Sequence, residues 1–181
     1  MASVFSHAVA SLGISACCYD ARAPKRVWAV GALCSVVPDL DVIGFHFGVR
    51  YGDFWGHRGF THSLLFAALL AAALVLAIFR HDGAPGLSRF ALWLYFFFCG
   101  ASHGLLDAMT DGGLGVAFFS PFNNGRYFLP WRPIQVSPIG LSRFFSHHGL
   151  AVLHSELLWI WLPTVFFIAL TLVLRWRKWP G

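Results

Sequence analysis

Charge is scarce in this chain. Of 181 residues only eight are Asp or Glu and 13 are Lys or Arg, whereas 57% are hydrophobic, with 19 Phe and 8 Trp. At 12% charged residues the chain falls well below the roughly 25% of a soluble domain, and with a mean hydropathy of +0.65 it reads as a membrane protein. A secretory signal is also missing: Met1 to Tyr19 has no basic n-region, and Arg22, Lys25 and Arg26 follow the apolar run instead of preceding it. That run is therefore expected to stay as a first membrane helix. No internal repeat occurs, and no low-complexity tract beyond the alanine-rich 67–73. The four cysteines, Cys17, Cys18, Cys34 and Cys99, lack C-x-x-C spacing and lie in apolar stretches, where they read as small packing hydrophobes. The net charge of +5 does not suggest nucleic acid as a partner, because the basic residues sit in short loops between apolar runs and read as topology signals.

What remains is a single membrane-embedded domain, expected to be an all-α integral membrane protein. About five transmembrane helices are predicted, near residues 3–19, 27–47, 62–79, 89–110 and 150–174. The second is ambiguous: Val27 to Val37 offers eleven apolar residues before Pro38, against the roughly 20 needed to span. It either continues through Asp39 and Asp41 to about Phe47 or stops part-way. Residues 48–60, rich in Gly and aromatics, read as an interfacial loop. Residues 112–148 are irregular, punctuated by Gly, Asn and Pro, with a possible hairpin over Tyr127–Val136 and a role as a lid over a site.

With the spans alternating in direction, Arg22, Lys25, Arg26, Arg80, Arg89, Arg175, Arg177 and Lys178 fall at one end. Arg50, Arg58, Arg126, Arg132 and Arg143 fall at the other, a bias of eight against five that assigns the first end, and the C-terminus, to the cytoplasm. The 14 residues from Arg89 to His103, the 18 from His62 to Arg80 and the 15 from His7 to Arg22 climb about 21, 27 and 22 Å. Independent helices thus deliver ionisable residues to one depth, near the periplasmic edge of the hydrocarbon core.

The densest stretch is His57-Arg58-Gly59-Phe60-Thr61-His62-Ser63, which runs directly into an apolar helix. Asp39 and Asp41 flank Leu40, and His103, Asp107 and Asp111 repeat every four residues on one helix face. Unpaired charges at this depth cost a few kcal/mol each, whereas a divalent cation satisfies several carboxylates and imidazoles together. The candidate ligands are Asp39, Asp41, His57, His62, His103, Asp107 and His7. Mixed His/Asp ligation suits Zn²⁺, Mn²⁺ or Fe²⁺ better than Ca²⁺ or Mg²⁺, and so many donors suggest two ions, Zn²⁺ or Mn²⁺.

The ordered motifs P-D-x-D (Pro38–Asp41), H-R-x-x-T-H-S (His57–Ser63) and H-x-x-x-D-x-x-T (His103–Thr110), followed by Pro121-Phe122, resemble the bacterial membrane-bound metal-dependent hydrolases, also called the LexA-binding, inner-membrane-associated hydrolase family. The resemblance covers roughly residues 1 to 140. It implies an inner-membrane location, metal-dependent hydrolysis, and site residues Asp39, Asp41, His57, Arg58, His62, His103 and Asp107.

The expected chemistry is hydrolysis of a lipid-borne phosphoester by metal-activated water. Arg58 and Arg132 are candidate anion contacts, with Thr61 and Ser63 also at the substrate, and Arg58 is equally well read as a salt-bridge partner of Asp53 or Asp41. Glu156 or Asp111 would be the general base or a further ligand. Two rival readings use the same residues: a proton- or cation-coupled transporter, and a metal-stabilised scaffold without turnover. Substrate identity and oligomeric state are not legible.

Overall fold

The computed structural model describes residues 1–17, 23–80, 84–139 and 144–178. Cys18, Arg22, residues His81–Gly83 and Arg143 lie outside the described residues. The architecture is all-α. Helices α1 (Val4–Cys17), α2 (Lys25–Cys34), α3 (Leu64–Ile78), α4 (Arg89–Ala108), α5 (His147–Glu156) and α6 (Leu162–Lys178) are supplemented by 3₁₀ helices at Val37–Phe47 and Phe60–His62 and a π turn at Leu157–Trp161. Among the described residues three stretches are long and apolar enough to cross a membrane: Lys25–Phe47, Arg89–Ala108 and His147–Arg175. Helices α1 and α3 are apolar but short, at 14 and 15 residues, so each climbs only about 21–22 Å.

The ambiguous second segment continues. It passes Pro38 by changing from α to 3₁₀ winding, which carries both aspartates on to Phe47. The last long helix likewise continues through Pro163. The π turn ends at Trp161, where the Leu162 amide donates to the Leu157 carbonyl, just before Pro163, which has no N–H to donate. Residues Tyr127–Val136 do not fold back on themselves as a hairpin. They pair with the end of α4 and the chain after it: Val116 and Tyr127 exchange two N–H···O bonds of 2.9 Å, and the Asp111 amide donates to the Ile134 carbonyl at 3.0 Å.

The apolar core lies between α2, α3 and α4, with Val27, Cys34, Ala71, Val75, Phe79, Leu92, Tyr95, Phe96 and Cys99 buried together. Small residues let α3 and α4 approach closely: a Cβ placed on Gly100 would lie 3.2 Å from the Cβ of Ala67. At one end of the bundle the Arg26 guanidinium covers the Phe79 ring at 5.2 Å and Arg175 Nη2 donates to the Cys17 carbonyl at 3.0 Å. The starts of α1 and α3 and the end of α4 meet at the opposite end.

Candidate metal centre

At that opposite end three elements converge. Pro38, in the first turn of the Val37–Phe47 3₁₀ helix, precedes Asp39 on its buried side, the Phe60–His62 turn presents His62, and α4 carries His103 and Asp107 one turn apart. Asp39, His62, His103 and Asp107 are all buried, and each offers one donor atom within 4.8 Å of the others. His103 Nε2 lies 3.3 Å from Asp39 Oδ1, and His62 Nε2 lies 3.5 Å from Asp107 Oδ2.

The neighbours of the imidazoles decide their tautomers. His103 Nδ1 is 2.7 Å from the carbonyl of Ser35, which only accepts, so this nitrogen carries the proton. His62 Nδ1 faces Asp41 Oδ2 at 3.2 Å, and a carboxylate likewise calls for the proton there. The two Nε2 atoms are left 3.0 Å apart with their lone pairs turned on one another. With both rings neutral such a contact is repulsive; a cation standing against both nitrogens relieves it, as does a proton held between them. Both oxygens of Asp39 and both nitrogens of His7 are buried without a hydrogen-bond partner, although buried polar groups are nearly always satisfied. These donors fit a divalent cation.

Around this group the remaining side chains orient ligands. Asp41 accepts from Thr61 Oγ1 at 2.7 Å and from His57 Nδ1 at 2.8 Å as well as facing His62. The set Asp41, His57 and His62 forms a second group of potential ligands that shares His62 with the first. Burial pushes the His57 pKa below its ordinary value against the pull of Asp41. Its Nε2 is also without a partner.

His7 stacks on His103 with ring centroids 3.7 Å apart and places Nε2 3.6 Å from Asp107 Oδ1. It therefore sits beside the four-residue group without belonging to either ligand set.

Arg58 is fully buried and adopts φ 64°, the left-handed region that a long side chain rarely enters. Its Nε donates to Asp107 Oδ2 at 3.1 Å, Nη1 to the Gly112 carbonyl at 2.8 Å and Nη2 to Thr110 Oγ1 at 2.9 Å. The salt-bridge reading is thus realised with Asp107, not Asp53 or Asp41, and all three nitrogens are engaged.

Other sequence candidates fall elsewhere. Ser63 caps α3, accepting from the Phe66 amide at 3.1 Å. Asp111 accepts from the Val136 amide at 2.8 Å on an exposed surface. Arg132 is exposed, with its guanidinium 4.7 Å from the centre of the Phe128 ring. Glu156 is buried, but it binds Ser3 and Ser6 and belongs to neither ligand group.

Three contributors escaped the sequence reading. Ser35 fixes the His103 tautomer through its backbone, which no side-chain pattern reveals. Thr110, noted only as a motif position, holds Arg58. Gly104 lets α4 pass the Phe60–His62 turn: a Cβ there would lie 3.0 Å from the His62 carbonyl oxygen. A second glycine in α4, directly after His103, was the available signal.

Residues 1–180 match the family model described as YdjM inner membrane protein. Inner membrane protein YbcI of Escherichia coli (strain K12) is 40% identical over 178 residues, covering 98% of this chain and 99% of that protein. No solved structure matches. Both names carry the inner-membrane location that the sequence led us to expect, and neither names an activity.

Proposed function

The chain belongs to the YdjM inner membrane protein family, and from that premise we propose that it is a membrane-embedded metal-dependent hydrolase. The observation that carries the reading is the pair of Nε2 atoms of His62 and His103, 3.0 Å apart with both Nδ1 protons committed elsewhere. Asp39, His62, His103 and Asp107 would hold the ion. Three carboxylates, Asp39, Asp41 and Asp107, meet the Arg58 guanidinium and the Met1 amine in one buried volume, an anionic setting that favours a divalent cation. We therefore assign one ion, Zn²⁺ or Mn²⁺, to the four-donor group. Asp41 and His57, expected among the ligands of a two-ion site, are read as outer partners, because the Asp41 oxygens already accept from Thr61 and His57.

When bound, such an ion supplies polarisation of a scissile ester oxygen and acidifies water. The chain's own residues orient and enclose. Arg58 aligns Asp107, Asp41 aligns His62, the Ser35 carbonyl aligns His103, and burial excludes bulk water from the donors. Exposed Phe47, Trp55, Phe122 and Trp131 suit the headgroup region, and favour a lipid-borne substrate, a phosphoester in our reading, met at the periplasmic surface. The arginine contacts expected for a phosphate are not part of this reading, because Arg58 is engaged and Arg132 lies on Phe128. The rival, a transport path, would call for charged side chains along the bundle. The buried face of α4 from Leu92 to Cys99 carries none.

The test is elemental mass spectrometry on detergent-purified protein. About one equivalent of Zn or Mn is expected in the wild type, with none in folded His62→Ala and Asp107→Ala, followed by turnover of lipid phosphoesters by the loaded protein. Metal-free wild type prepared without chelators would overturn the reading. Bound metal without cleavage of any lipid ester would leave the scaffold.

A further inference from the structure

We propose that Glu156 is a positioning residue for the metal centre, acting through residues 1–7 as a strap laid across it; the inference rests on the metal-centre reading above. A fully buried carboxylate within an apolar span calls for a reason, and Glu156 is 0% exposed within the stretch His147–Arg175. The hydrogen bonds it accepts come from the strap: from the Ser3 amide, from Ser3 Oγ at 2.6 Å and from Ser6 Oγ at 2.8 Å. Hydrogen bonds to a carboxylate are about twice as strong as neutral ones, so this is the firmest anchor the segment has. The π turn that begins at Leu157 adds another, bringing Trp161 Nε1 to Ser6 Oγ at 2.7 Å. Local π turns of this kind recur at functional sites.

The residues between and beside these anchors touch the centre. The Ala2 amide donates to Asp107 Oδ1 at 2.7 Å, and His7, one residue after Ser6, stacks on His103. Ala2, Ser6 and His7 are each 0% exposed. Asp107 is thereby gripped from two sides, Oδ1 by Ala2 and Oδ2 by Arg58 Nε at 3.1 Å. That grip turns Oδ2 towards His62. Glu156 touches no ligand. It determines where the Ala2 amide and the His7 ring sit, and through them the geometry of Asp107 and His103.

The probe is Co²⁺ titrated into metal-stripped, full-length protein in detergent, read by its visible d–d absorption, with thermal unfolding measured on the same samples. Glu156→Gln keeps the shape and one acceptor oxygen but loses the charge, and is expected to weaken Co²⁺ binding by up to about tenfold, the lower end of what losing a direct partner of a ligand costs, and to shift the absorption band. Ser6→Ala, which cuts one bond to Glu156 and the bond from Trp161, is expected to shift both readouts in the same direction by less. Leu92→Ala, in the apolar core, is expected to lower the melting temperature and leave affinity and band unchanged. Glu156→Gln and Ser6→Ala that melt like Leu92→Ala and bind Co²⁺ with wild-type affinity and spectrum would overturn the proposal and reduce Glu156 to helix packing. If Glu156→Gln does not fold, Ser6→Ala decides alone. A wild type that takes up no Co²⁺ would instead sink the metal centre itself.

Discussion

The two halves of α4 present one continuous buried face to two different environments. In the first half the buried residues are Leu92, Tyr95, Phe96 and Cys99, packed among apolar side chains of α2 and α3; in the second they are Gly100, His103, Gly104 and Asp107. Inside a membrane the apolar half gains little from leaving water, since lipid is equally apolar, and depends on close packing. The polar half depends on complete pairing. Each of its donors and acceptors has a designated partner or waits for a cation, and its glycines exist to admit backbone. The same helix therefore tolerates substitution by different rules at its two ends.

The harshest way to break this contrast is Asp107→Ala. It strands Arg58 and His62 in a buried site, for which a cost of about 3–5 kcal/mol is expected, together with complete loss of bound metal; melting temperature and metal content measured on one preparation check both. Leu92→Ala should be milder and purely structural. With a residual cavity of roughly 100 Å³ at about 24 cal/mol per Å³, the loss is about 2 kcal/mol, with metal content per folded molecule unchanged. A drop in metal content there would show that the halves are coupled. Asp41→Asn should lower metal affinity by about 10-fold or more, checked by competition with a chelating dye, and cost about 1–3 kcal/mol in the metal-free form, because its amide NH₂ cannot accept from His57 or His62. Gly104→Ala separates the two quantities. Alanine favours the helix by up to about 1 kcal/mol, yet its Cβ would press on the His62 carbonyl from 3.0 Å, so stability should hold or rise while metal affinity falls. Least of all is expected from exposed Arg132→Ala, within about 0.5 kcal/mol in stability and without effect on metal; a clear loss of turnover would restore Arg132 as a substrate contact.

The legibility of these features followed their locality. Helix α4 was readable almost to the residue, because its apolar run and the His103–Asp107 spacing lie in consecutive turns. The second span was not, since Pro38 marks a break without revealing that 3₁₀ winding carries the chain on. His62 stood out within its seven-residue motif. Arg58, from the same motif, was read equally as a substrate contact and as a salt-bridge partner of Asp53 or Asp41, because its partners Asp107, Thr110 and the Gly112 carbonyl are 49 to 54 positions away. Glu156 looked like a base for a similar reason: its partner Ser3 is 153 positions distant.

Composition and short-range periodicity thus determined by themselves that this is an all-α membrane protein, and that Asp39, His62, His103 and Asp107 fall near one end of its helices. Both follow from what lipid does to any chain: charge is excluded unless it is paired, and helices convert residue spacing directly into depth. Depth is not azimuth. Which carboxylate meets which imidazole, which nitrogen keeps its proton, and whether an arginine is engaged depend on how helices rotate and pack against one another. Only the tertiary structure decided these, because side-chain packing sets that rotation across the whole bundle.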